Sequence, residues 1–227
     1  MVAPPDRRFV VVQHVAHEGP GLIAALAAEH NVVLEVRRTY RGESLPAARE
    51  TDGVVVLGGP MGVSESAAHP HLLAEQVLLA DACSLGLPVL GVCLGAQLLA
   101  AALGARVFKG PAPEVGAGAV ALTDAGERDP VLGPSGPVIP AFHWHGDTFD
   151  LPRGATLLAS SGACPHQAFR AGTRAYALQF HVEVDAALAR AWAPALPAGV
   201  TIAAPDRAAI ETAGRAILGR FFTLVAR

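Results

Sequence analysis

The chain has 227 residues and a formal net charge of −3, with 52 % hydrophobic and 16 % charged residues. That composition excludes a disordered or solvating chain, and the near-neutral balance gives no electrostatic footprint for nucleic acid. No apolar run approaches the roughly 18 residues needed to span a bilayer, so no membrane partner is expected. The length suffices to bury a core without disulfides or metal staples. The start of the chain, MVAPPDRR, leads into a short apolar stretch rather than a signal-peptide core. With only Cys83, Cys93 and Cys164, this predicts free thiols and a cytoplasmic setting.

In chain order, residues 8–13 read as a buried strand, and Leu22, Ile23, Leu26 and Ala27 recur at helical spacing within 20–30. Residues 32–36 and 53–57 are two further strands, the second ending in Gly58-Gly59-Pro60. Residues 71–85 are helical, 88–92 form a fourth strand, and 94–103 a helix that Gly104 stops. Strands alternating with helices of 10–15 residues mean βαβ units and a parallel sheet, hence an α/β fold. Beyond Gly104 short strands dominate, at 107–109, 117–122, 138–142, 155–159, 167–170 and 174–181, with turns at Gly110-Pro111 and Gly133-Pro134 between them. The end, 185–195 and 205–225, is helical, with Leu188, Trp192, Ile210, Ile217, Leu218 and Phe221 among its apolar positions. We expect these helices to close back onto the sheet of one domain, 1–227, with a core at about 8–184 and an extension at 185–227.

The segment Gly91-Val92-Cys93-Leu94-Gly95-Ala96-Gln97 sits where a buried strand hands over to a helix. Glycines two residues before and after Cys93 make the nucleophile-elbow pattern, with cysteine in place of serine. The turn delivers the sulfur to the carboxyl end of a parallel strand, where open α/β sheets bind ligands. The helix N-terminus favours a thiolate and supplies backbone N–H donors. Cys83 lies in a helical apolar stripe and Cys164 in a Gly/Pro loop, and both read as structural.

A thiol nucleophile needs a base. His181 in Leu178-Gln179-Phe180-His181-Val182-Glu183 closes an apolar strand, and the strand period of two puts Glu183 on its face. The carboxylate can fix one ring nitrogen and leave the other to face a thiol. Metal chemistry is not expected. His143-x-His145 and His14-x-x-His17 have ligand-like spacing, and His69 and His71 flank Pro70, yet there is no H-E-x-x-H and the cysteines are scattered.

The blocks Gly58-Gly59-Pro60, residues 91–97 and Gln179-Phe180-His181-Val182-Glu183 resemble the class I glutamine amidotransferase family, in its order and usual separations. Residues 144–152, WHGDTFDLP, resemble its segment for the substrate's backbone end, and 13–21, QHVAHEGPG, its stand-alone GMP-synthase-like members. The resemblance, over about 8–184, implies a flavodoxin-like three-layer sandwich, with a mostly parallel central sheet and a small antiparallel addition. It implies Cys93 as nucleophile, His181 as base and then acid, and Glu183 as orienter. The N–H groups of Gly59 and Leu94 would form the oxyanion hole, and Gln97, His145, Gly146 and Asp147 would hold the amino-acid end of the substrate. No cofactor is implied. The family usually has proline where Val182 stands. With no P-loop and no fused synthetase, the implied activity is hydrolysis of glutamine, alone or beside a separate synthetase subunit. The same triad serves a γ-glutamyl peptide or γ-glutamyl amine hydrolase. A non-catalytic regulatory member would not need it complete.

Overall fold

Strand residues 9–12 are apolar at every position because both faces of the strand are covered. In β1 (Arg7–Gln13), Phe9 and Val11 enter one core, while Val10 and Val12 enter the other. This is the pattern of a parallel strand with helices on both sides. The structure, a computed structural model, describes residues 7–225; the stretch ahead of β1, read above as no leader, lies outside the described residues. The order continues α1 (Leu22–Glu29), β2 (Val32–Arg38), β3 (Gly53–Val56), α2 (His71–Ser84), β4 (Val89–Val92) and α3 (Leu94–Ala102). It then runs β5 (Val107–Leu122), α4 (Asp124–Glu127), β6 (Val138–Phe149), β7 (Thr156–Ser160), β8 (Ala168–Ala171), β9 (Ala175–Leu178), α5 (Ala186–Trp192) and α6 (Ala204–Val225).

Among the described residues the strands form one nine-stranded sheet, ordered β2-β1-β3-β4-β9-β8-β7-β5-β6. The run from β2 to β9 is parallel and follows the flavodoxin-like order, with its fifth strand arriving late in the chain. The remaining pairings are antiparallel. The sheet is therefore mixed, and its antiparallel part is larger than the small addition expected. Residues of α2 and α3 such as Leu72, Leu79, Leu98 and Leu99 cover the Val10/Val12 face, and α1 and α6 cover the other. Among the described residues no helix is long and apolar enough to cross a membrane.

Three expectations need correction. The turn at Gly110-Pro111 does not reverse the chain: β5 runs on through it, and the irregularity is confined to the β5–β6 register between Lys109 and Glu114. Pro111 and Pro113 cannot donate to a ladder, so pairing lapses locally without a turn. β6 likewise runs past Phe142 to Phe149, because β5 partners it nearly throughout. β9 stops at Leu178, short of His181. His181 rejoins the antiparallel part through a bridge to Phe142, with N–H···O bonds of 2.8 and 3.0 Å.

The terminal helices fold back as expected. Leu188 and Trp192 pack with Phe142, Val184 and Ile210, and Ile217, Leu218, Phe221 and Phe222 join the α1-side core. Gly214 lets α6 approach the segment 181–183. A Cβ there would lie 1.9 Å from the carbonyl oxygen of Val182, between His181 and Glu183. Alanine normally gains about 1 kcal/mol over glycine in a helix. Here it must push α6 outward, and overpacking costs about 1–3 kcal/mol. Gly214→Ala should therefore lower the thermal unfolding midpoint by a few degrees, at roughly 2–4 °C per kcal/mol for this size. An unchanged or raised midpoint in calorimetry would contradict the tight packing.

Candidate active site

The β4–α3 junction forms a strained elbow. Cys93 has φ 52° and ψ −109° and caps α3; among the described non-glycine residues only Asn31 shares a positive φ. Such a conformation costs about 1–3 kcal/mol and persists only where surroundings impose it. They do so here. The Cys93 N–H donates to Leu178 O of β9 at 2.8 Å, and its carbonyl accepts from Ala96 and Gln97. A Cβ on Gly91 would meet Gly95 O at 2.4 Å, and one on Gly95 would meet Val56 O of β3 at 2.0 Å. Both flanking glycines are thus required by packing, as the elbow frame predicts.

His181 Nδ1 lies 2.7 Å from Glu183 Oε1, and the ring faces the same cavity as Cys93, which acts on its charge state. Both residues are buried, His181 to 1 % exposure and Glu183 to 3 %. Burial pulls the imidazole toward its neutral form. The Glu183 charge and hydrogen bond, together with Cys93, outweigh it and hold His181 protonated well above its ordinary range. The pair is braced: Leu22 N–H donates to Glu183 O at 2.8 Å, and Trp192 meets the His181 ring edge-on at 4.9 Å. Sequence reasoning foresaw the pairing but assigned it to a continuous strand. The bridge to Phe142 supplies the geometry instead.

The Gly58–Gly59 loop is held by residues that sequence reasoning missed. His14, at the end of β1, bonds Gly58 O through Nδ1 (2.8 Å) and Glu75 of α2 through Nε2 (2.7 Å), while His71 bonds the other Glu75 oxygen at 2.9 Å. Burial opposes charge on His14, but Glu75 and the Gly58 carbonyl raise its pKa overall. With no cis peptide bond among the described residues, the Gly59 N–H points opposite to the Gly58 carbonyl, away from His14. The Leu94 N–H opens α3 and has no intrahelical partner. A Cβ on Gly59 would come within 3.0 Å of the Leu94 side chain, so the two residues are neighbours.

These groups border a cavity of about 530 Å³, within the ~300–1,000 Å³ range of small-molecule sites. Cys93, His181, Gly59, Gln97, His145, Gly146 and Asp147 all line it; Glu183 lies behind His181. Gln97 donates its amide hydrogens to Asp147 O (3.3 Å) and Gln179 Oε1 (3.1 Å), which leaves its own oxygen as an acceptor. The Cys93 thiol also reaches Trp144 O at 3.7 Å. Glu18 is a further wall residue that sequence reasoning gave no role. Burial pushes its carboxyl above the usual range, the Glu183 charge adds to this, and the neighbouring histidines oppose it. The one available signal was its place just after β1, at the carboxyl edge that also presents Gly59, Cys93 and His181.

The chain matches the family Glutamine amidotransferase class-I over residues 22–191. It is 37 % identical over 180 residues to the glutamine amidotransferase-like protein YfeJ of Salmonella typhimurium, covering 78 % of this chain and 75 % of that protein. It is 35 % identical over 140 residues to a GMP synthase [glutamine-hydrolyzing] subunit of Methanoregula boonei, covering 61 % and 68 %. A crystal structure of a glutamine amidotransferase from Thermotoga maritima superposes with a TM-score of 0.80 at 32 % identity, over 97 % of this chain and 98 % of that one. With the elbow cysteine, the buried His–Glu pair and the glycine loop around one cavity, this chain belongs to the class I glutamine amidotransferase family.

Proposed function

We propose that this protein is a cytoplasmic glutaminase-type hydrolase that uses Cys93, His181 and Glu183. The observation that carries the reading is the buried imidazole between a carboxylate at 2.7 Å and the elbow cysteine. The Cys93 thiol passes its proton to His181 and its sulfur attacks the γ-carbonyl carbon, and the displaced π electrons go to oxygen, facing the N–H groups of Gly59 and Leu94. The tetrahedral intermediate collapses as His181 gives its proton to the leaving nitrogen, which departs as ammonia. A water molecule deprotonated by His181 attacks the γ-glutamyl thioester, and glutamate leaves as Cys93 regains its proton. The free Gln97 oxygen would accept from the α-ammonium, with the Asp147 carboxylate and Gly146 backbone beside it and His145 beneath.

One observation favours a larger donor as the second reading. The Glu18 carboxylate stands beside the His181 ring that serves the leaving nitrogen, because a Cβ on Gly58 would lie 2.5 Å from Glu18 Oε2 and 3.2 Å from His181 Cε1. A γ-glutamyl amine could place its N–H or cationic end there. The test is glutamate release from glutamine, γ-glutamyl peptides and γ-glutamyl amines without ATP or a second protein. Turnover is expected unaided, because α5 and α6 already cover the sheet. A chain that is inert alone and active only with a separate synthetase would instead be one part of a two-chain enzyme. Inertness under both conditions would overturn catalysis.

The His14–Glu75 bond gives a further expectation. Glu75→Gln weakens the hold on Gly58 O without touching substrate. It should lower kcat with little change in KM, by less than the ~10²–10³ lost with a whole side-chain oxyanion donor. Steady-state kinetics at saturating glutamine checks this; an unchanged kcat would show that the loop keeps its orientation unaided.

A further inference from the structure

We propose that Glu114, His143 and His145 form a divalent transition-metal site that ties β5 to β6 beneath the wall of the cavity. The β5–β6 ladder pairs Glu114 with His145 and Gly116 with His143. Directly opposed residues share a face, and so do residues two apart, so the three side chains converge where Gly116 adds none. One ligand atom from each lies within 4.8 Å of the others.

One hydrogen bond fixes the tautomer of His145. His145 Nδ1 bonds Asp147 O at 3.1 Å, and a carbonyl only accepts, so Nδ1 carries the hydrogen and Nε2 the lone pair. That Nε2 is 3.3 Å from Glu114 Oε2, yet it is buried and makes no hydrogen bond. His143 Nδ1 is likewise buried and has no hydrogen-bond partner. Two buried imidazole nitrogens without hydrogen-bond partners and a carboxylate thus meet at one point, an arrangement that a cation would satisfy. Two of the ligands are anchored from behind: His145 by the Asp147 carbonyl, and Glu114 by Ser161 Oγ (2.7 Å) and Gln167 Nε2 (2.6 Å). Such outer partners are the usual mark of metal-ligating side chains, and two histidines with one carboxylate suit Zn²⁺. The trio of His14, His71 and Glu75 is as compact, but there ring nitrogens hydrogen-bond both carboxylate oxygens, so protons already fill that space.

The His143-x-His145 spacing carried little weight in the sequence because the third ligand comes from another strand. The test uses the full chain as Cys93→Ala, which removes the competing thiol of the cavity, stripped of metal and titrated with Zn²⁺ by calorimetry. One equivalent should bind and raise the unfolding midpoint. Glu114→Gln and His143→Gln should each weaken binding by at least the ~10–100-fold typical of losing an outer partner. Circular dichroism of the metal-free variants confirms that they are folded, and the near-isosteric Glu114→Gln keeps the test open if His143→Gln is not. Co²⁺ should give a spectrum of nitrogen and oxygen ligation. No saturable binding, binding unchanged by both substitutions, or a sulfur-to-cobalt charge-transfer band would overturn the site.

Discussion

Cys93→Ala should abolish glutamate release from every γ-glutamyl substrate while leaving the unfolding midpoint nearly unchanged. Removal of the nucleophile alone costs on the order of 10⁶ in a serine enzyme. The reaction proposed here has no second route to the γ-glutamyl intermediate, so the residual rate should fall below detection. Alanine removes only the sulfur, and the backbone bonds from Leu178, Ala96 and Gln97 that hold the elbow remain. A glutamine-like electrophile should label Cys93 and neither other thiol. Burial pushes Cys83 up to about 11, and it raises Cys164 as well, so both stay protonated and unreactive at neutral pH. Neither has an imidazole partner like that of Cys93. Peptide mapping by mass spectrometry after labelling checks this. Modification of Cys83 or Cys164 together with retained activity in Cys93→Ala would refute the assignment.

The parallel half of the sheet was legible because each strand carries its evidence locally. Phe9 to Val12 and Val54 to Val56 are apolar throughout, which in a short segment means cover on both faces. The elbow was legible for the same reason: Gly91 and Gly95 stand at fixed offsets from Cys93, and their close contacts run to adjacent elements. The antiparallel half was harder. Gly110-Pro111-Ala112-Pro113 has the composition of a turn, and only the partner strand β6 decides that the chain runs straight on. The apolar stretch through Phe180 and Val182 reads as strand, yet pairing of β9 ends at Leu178, where the chain departs to meet Phe142. The supporting polar residues were not legible, because their partners are distant in sequence. Glu75 lies fully buried on α2 for the sake of His14, and Glu114 is defined by its register against His145.

His181→Asn should be almost as inactive as Cys93→Ala, whereas Glu183→Gln should keep a measurable rate. His181 moves protons in both half-reactions, while Glu183 acts through it, orienting the ring and stabilising its charge. The matching change in a serine triad costs about 10⁴. Less is expected here, because a thiolate depends less on a base than a hydroxyl does. A pH profile separates orientation from charge. The Glu183 charge and hydrogen bonding hold His181 protonated against burial. Glutamine in its place keeps the shape and removes the charge, so the imidazole loses its proton more easily. The alkaline limb of kcat/KM, where that proton is lost, should therefore move to lower pH. The stability effect has a definite sign. A folded pKa above the ordinary ~6.5 adds stability that is complete below that value and fades as pH rises through the raised one. The gap in unfolding free energy between wild type and Glu183→Gln should accordingly be widest near and below pH ~6.5 and narrow on the alkaline side. Denaturant unfolding across pH, beside the rate profiles, measures both. A Glu183→Gln enzyme with an unshifted alkaline limb, or one as dead as Cys93→Ala, would mean that the carboxylate acts on the reacting atoms themselves and not through His181.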